Sequence, residues 1–99
     1  MKKTTQSING TSFHDITIKT TVQKLISKLG EPDYIDNTGE DKVNYEWDCE
    51  TENGDVFTIY DWKYYRPVSE YEIIDFHIGS KGKSIALEAK AELIELLLN

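Results

Sequence analysis

The scarcest reactive groups in this chain of 99 residues are two histidines, one cysteine and one arginine. His77 stands two residues after Asp75, and on a strand both would share a face, so a carboxylate-oriented imidazole base can be assembled there. No motif places a nucleophile beside it. A histidine next to a single carboxylate more often serves structure than catalysis, so a non-enzyme is expected. Cys49 falls on the apolar side of an alternating segment and reads as a buried thiol rather than a nucleophile. Standing alone, it also excludes an intramolecular disulfide and a multi-cysteine zinc site. Asp33, Asp36, Gly39 and Asp41 do not follow the spacing of a calcium loop, so neither a metal nor a cofactor is expected.

Binding chemistry is better represented. Tyr60, Trp62, Lys63, Tyr64 and Arg66 fall within seven residues, a set able to stack a base and grip a phosphate. Arg66 contributes a planar fork that suits phosphate better than an ammonium does. The competing reading makes Tyr60 and Trp62 core or dimer-contact residues, since Tyr, Trp and Arg are also enriched at interfaces. A second concentration is the run from His77 through Gly79, Lys81 and Lys83 to Ser84. Its Gly-Lys-Ser triplet is not a phosphate-binding P-loop, because that motif needs glycine where His77 stands. A glycine-rich turn opening a helix still presents free N–H groups and a positive dipole end, to which Lys81 and Lys83 add charge. An ordinary solvated connection with surface lysines is an equally good account of the same residues.

The charge distribution constrains partners. The chain has 18 acidic and 11 basic side chains, a net charge of −7, so coating of nucleic acid is not expected. The acidity is one block: residues 31–61 hold eleven carboxylates and one lysine, whereas residues 1–30 hold five lysines and one aspartate. Such a block can imitate DNA and occupy a basic groove of another protein; more often it keeps a small protein in solution. No apolar run approaches the roughly 20 residues of a membrane span. The opening MKKTTQSING has no apolar centre and does not read as a secretion signal, so a cytoplasmic domain is expected.

These groups need a scaffold. With 38% apolar residues the chain can build one core and hence one domain spanning 1–99. Lys3 to Ile18 reads as extended, with Asn9-Gly10 as a hairpin turn signal and an interrupted period near Asp15. Val22, Leu25, Ile26 and Leu29 form one stripe of a helix over 20–30, with Thr20 and Gln23 at capping-box spacing and Gly30 and Pro32 ending it. Residues 31–41 read as a loop. Three strands follow over 43–50, 55–62 and 71–78, the last apolar on both faces as a central strand would be. Ser84 is the expected cap of a final helix over 85–98. The sum is an α+β fold: an antiparallel sheet, made of a three-stranded meander plus an N-terminal strand or hairpin, with two helices packed on one face.

Leu29-Gly30-Glu31-Pro32, Tyr45-Glu46-Trp47, Thr58-Ile59-Tyr60-Asp61-Trp62-Lys63 and Phe76-His77-Ile78-Gly79 together resemble a family of small phage-encoded proteins. The family pattern is a helix ending in G-E-P, an E-W strand, a T-I-Y-[ND]-W-K strand and W-H-I-G-G. The likeness covers about residues 20–95; the chain departs from it at Phe76, where the family has Trp, and at Ser80, where it has Gly. By analogy with other small phage proteins, the resemblance implies a counter-defence protein in the host cytoplasm. Such a protein would act as a homo-oligomeric sponge for a nucleotide or cyclic nucleotide immune signal, as an inhibitor of a host defence protein, or as an enzyme that degrades the signal. The concentrations of aromatic and basic residues in 60–66 and 77–84 supply the expected ligand-binding set: Tyr60, Trp62, Lys63, Tyr64, Arg66, His77, Gly79, Lys81, Lys83 and Ser84.

Overall fold

Three successive extended segments build the centre of the sheet. A computed structural model describes residues 1–99, with strands β1 (Lys2–Lys3), β2 (Ser12–Thr20), β3 (Tyr34–Ile35), β4 (Tyr45–Glu50), β5 (Val56–Tyr60) and β6 (Ile74–Ser80). Its helices are α1 (Val22–Leu29) and α2 (Lys83–Leu98). The sheet is antiparallel in the order β1-β4-β5-β6-β2, with β3 pairing β4 beside β1. In β4, Tyr45, Trp47 and Cys49 are buried while Glu46, Asp48 and Glu50 on the opposite face are not fully so. Phe57 and Ile59 of β5 and Ile74, Phe76 and Ile78 of β6 join them beneath the helices. α2 crosses β2, β5 and β6, and α1 packs beside it. This is the expected α+β layer arrangement, with the β4-β5-β6 meander at its centre.

The N-terminal segment forms two strands that do not pair as a hairpin. β1 pairs β4 on one side of the sheet and β2 pairs β6 on the other, so the turn at Asn9-Gly10 joins strands that are not neighbours. The expected irregularity near Asp15 is a bulge: the β2–β6 register shifts between Phe13 and Thr17, and Asp15 takes a positive φ of 63°. Residues 34–35, expected as loop, form the short β3.

Both helix caps move from their expected places. Thr20 ends β2; Thr21 is the N-cap of α1, its Oγ1 accepting from Lys24 N at 3.1 Å. Gly30 closes α1 with φ of 87°, donating its N–H to Ile26 O, and its carbonyl accepts from Trp47 Nε1 at 3.0 Å. α2 begins at Lys83, so Ser84 lies inside the first turn. The cap position belongs to Gly82, which has no side chain to bond. Ser80 Oγ instead donates to Gly82 O at 2.6 Å, tying the end of β6 to the helix start. No helix is long and apolar enough to cross a membrane.

Candidate functional site: an aromatic groove on the open sheet face

The face of the sheet away from the helices carries the alternate residues of the same strands. Cross-strand register sets Glu46 against Tyr60, Tyr60 against His77, and His77 against Thr17; one step along, Asp48, Thr58, Gly79 and Phe13 form a second row. The bulge in β2 lets Phe13 swing onto His77, and the two rings stack at 3.8 Å between centroids. Tyr60 lies 5.5 Å from the His77 ring, and Trp62 lies 6.0 Å from Tyr60 and 6.1 Å from His77. Four rings thus share one patch.

Beside them runs an open groove of about 220 Å³. Its walls are Ile8, Thr11 and Ser12 from the loop before β2, Val43 and Glu46, and Thr58, Tyr60, Trp62 and Gly79. A second depression of about 410 Å³ adjoins it, sharing Val43, Glu46 and Trp62 and adding Tyr34, Asp41 and Lys42. Gly79 is required there by crowding: a Cβ would come within 2.6 Å of Thr58 Oγ1 and 3.4 Å of Tyr60 Cε1. Its bare backbone leaves the groove floor open. Two other depressions, of about 390 and 190 Å³, lie near Met1 among turn and terminal residues and contain none of the residues singled out above.

The loop bearing Trp62 is held from below. Asp61 is fully buried, and its carboxylate accepts from Asn44 N at 2.8 Å, Tyr45 N at 2.9 Å and Asn44 Nδ2 at 2.9 Å. Asn44 also donates to Arg66 O and accepts from Gly39 N. Asn37 makes a paired contact with the backbone of Val68, at 2.7 and 3.0 Å. Segments 36–44 and 61–68 are therefore one knitted platform. β5 ends at Tyr60, so Trp62 is presented by a loop, in which Lys63 and Tyr65 take positive φ of 58° and 52°. Trp62 remains 38% exposed. Lys42 Nζ and Lys63 Nζ stand 5.8 and 5.6 Å from its ring, within reach of a cation–π contact.

Electrostatically, the groove floor differs from the chain around it. Burial, and then the neighbouring carboxylates of Asp48 and Asp33, push the Glu46 carboxyl from 4.5 to about 7. Asp48 Oδ1 is buried without a partner, and a proton held on Glu46 supplies one. Burial lowers the His77 pKa, only partly opposed by Asp75 and Asp15, so this imidazole is neutral at pH 7. Glu46 is therefore about half protonated at pH 7, and Lys42 and Lys63 stand beside the Trp62 ring.

The sequence candidates divide accordingly. Tyr60, Trp62, His77 and Gly79 come together, and Lys63 joins them at the rim. Lys81 reaches over the Gly10 turn next to Thr11, within 4.0 Å of where a Gly10 Cβ would stand. Lys83 and Ser84 are exposed on α2 and do not line the groove. Arg66 is occupied elsewhere: it makes a bidentate pair with Glu72, with Nη1 to Oε1 at 2.9 Å, and its guanidinium lies 5.4 Å from the Tyr64 ring centre. Tyr64 is structural, its hydroxyl accepting from Asp75 N at 3.1 Å and donating to Asp75 O. Asp75 is paired with Lys19 at 3.1 Å, and the principal partner of His77 is the Phe13 ring. Cys49 is buried, which pushes its thiol up to about 12. No group of three or more His, Cys, Asp or Glu is arranged to hold a metal ion.

Sequence reasoning missed Glu46, Val43, Lys42, Phe13 and the Ile8–Ser12 segment. Glu46 was legible from alternation alone, since it faces away from Tyr45 and Trp47. Phe13 was not, because only the bulge brings it over His77. In comparisons with known proteins, no family model, no curated protein and no solved structure matches the chain.

Proposed function

We propose that this protein is a non-catalytic binding protein for a nucleotide, in which the open sheet face stacks the base and rim lysines hold phosphate. One observation carries the reading. In a chain of net charge −7, Tyr60 and Trp62 line a groove whose one acidic lining residue, Glu46, is about half protonated at pH 7, and Lys42 and Lys63 stand beside the Trp62 ring. A base stacked on Trp62 gains about 1–3 kcal/mol, and the lysines add attraction for an anion. Polar groups of Thr58, Ser12 and Glu46 are placed to bond the base edge or sugar. The resemblance to small phage-encoded proteins extends this to a role: sequestering a nucleotide or cyclic nucleotide immune signal in the host cytoplasm.

The acidic-inhibitor reading is less well supported, because much of the block is committed within the fold. Asp61 is buried, Asp33 pairs with Lys3 at 3.2 Å, Glu50 accepts from Thr4 and Gln6, and Glu46 is substantially protonated near neutrality. An enzyme using His77 would need that ring freed from its stack on Phe13. Calorimetry against cyclic dinucleotides, mononucleotides and ADP-ribose derivatives tests the proposal. Binding is expected with at least one of them, weakened at least tenfold in Trp62→Ala and unchanged in Arg66→Ala. Absence of heat across the panel at micromolar protein removes the reading, and recovery of a modified ligand from the complex replaces it with catalysis.

A further inference from the structure

The two helices are patterned differently. α1 has one apolar stripe, facing the core; α2 has two. Its inner stripe, with Ala86, Ala89 and Leu93, is buried in the core. On the opposite side Leu87, Ile94 and Leu98 are 50%, 46% and 81% exposed, with exposed Ala91 between the first two. The spacings from 87 to 91 to 94 to 98 are four, three and four, the period of a coiled-coil seam. Three large aliphatic side chains in register along about 16 Å of helix form a continuous apolar surface.

The charges beside that seam identify its occupant. At 100° per residue, Lys83 and Lys90 fall along one flank and Glu88 and Glu95 along the other. Two copies of α2 laid parallel, seam to seam, bring the lysine flank of each against the glutamate flank of the other, pairing Lys83 with Glu88 and Lys90 with Glu95 across the interface. An antiparallel arrangement opposes lysine to lysine and glutamate to glutamate. Glu88 accepts from Asn53 Nδ2 at 2.8 Å through one oxygen, leaving the other for a partner. Ala91 at the centre allows the helices to approach closely. From these features we infer that the outer face of α2 is a self-association surface, occupied by α2 of a second copy in a parallel, two-fold arrangement. The open sheet faces then point outward on both sides of the dimer. The inference is independent of what the groove binds.

The test is sedimentation velocity of the full chain across micromolar to near-millimolar concentration, combined with a cross-linking variant. Wild-type protein is expected to pass reversibly from monomer to dimer. Ile94→Glu, at a half-exposed position where folding does not require the isoleucine, should weaken dimerisation at least about 100-fold while circular dichroism is unchanged, because each copy then buries an unpaired carboxylate. Lys90→Glu and Glu95→Lys should each dimerise several-fold more weakly alone, and a mixture of the two should recover wild-type affinity. Ser84→Cys should form an interchain disulfide under mild oxidation, since parallel helices place residue 84 beside its counterpart, while buried Cys49 stays reduced. A chain that remains monomeric throughout, or a dimer indifferent to Ile94→Glu, overturns the inference. A dimer lost in Ile94→Glu but never cross-linked through residue 84 overturns its parallel geometry.

Discussion

On β4, β5 and β6 adjacent residues serve opposite faces of one sheet, and the two faces are filled by different physics. Beneath the helices, Trp47, Phe57, Ile59, Phe76 and Ile78 are wholly excluded from water, and their one polar atom, Trp47 Nε1, is satisfied by Gly30 O. The open face has rings as large, but they lie beside polar groups: Glu46, Thr58, His77 and the hydroxyl of Tyr60. Its apolar area is incompletely covered and its titratable groups are shifted by partial burial. The covered face supplies stability, and the open face holds groups in states that solvent alone would not favour. Nothing on the covered face requires Glu46, and nothing about folding requires Trp62 to stay 38% exposed.

Substitutions should separate the two faces. The largest effect is expected from Trp47→Ala, which leaves a cavity and frees the Gly30 carbonyl; about 3–5 kcal/mol of stability should be lost in urea denaturation. Asp61→Ala comes next, at about 3 kcal/mol, because it strands three buried donors. Limited proteolysis should then cut within 62–66, since Asp61 anchors the platform that presents Trp62. Trp62→Ala inverts the pattern, costing less than about 1 kcal/mol of stability while abolishing most ligand affinity. A large stability loss in that variant would mean the open face is core by another name. Arg66→Ala should have the smallest effect on stability, because its pair with Glu72 is solvent-screened, and should leave ligand affinity unchanged.

The pH dependence sharpens the same contrast. Glu46 titrates higher in the folded chain, at about 7, than its ordinary 4.5, so the folded state holds this proton more tightly than the unfolded state does. Its contribution is fully present below pH 4.5 and is lost as pH rises through 7. Chemical denaturation from pH 4.5 to 8 should therefore show wild type losing stability relative to Glu46→Gln. An anionic ligand favours the protonated form, so affinity should fall as pH rises through 7, and the fall should vanish in Glu46→Gln. Equal slopes for the two proteins would disprove a shifted carboxyl in the groove.

What could be read in the sequence follows from the range of the interactions involved. Alternation is local, so the meander and the burial of Trp47 and Cys49 were legible. So was the end of α1 at Gly30, whose positive φ suits glycine. Features set by distant contacts were not. Asn9-Gly10 signals a hairpin, yet β1 pairs β4 and β2 pairs β6, because pairing with the central strands covers more backbone than a local hairpin does. Arg66 looked free for phosphate; Glu72, six residues on, occupies it. Ser84 looked like a cap, but the preceding Ser80–Gly82 bond starts α2 two residues earlier. The stack of Phe13 on His77 depends on a bulge whose sequence trace was only a broken period.

The central claim is that the open face binds a base-bearing anion while the covered face stays inert. The two indole N–H signals test it most directly, because Trp62 lies on one face and Trp47 on the other. In a ¹⁵N–¹H titration with cyclic dinucleotides, mononucleotides and ADP-ribose derivatives, at least one ligand is expected to shift the Trp62 indole and the Thr58 and Gly79 amides and leave the Trp47 indole in place. An unmoved Trp62 signal throughout the series, or shifts confined to residues away from the groove, would contradict it.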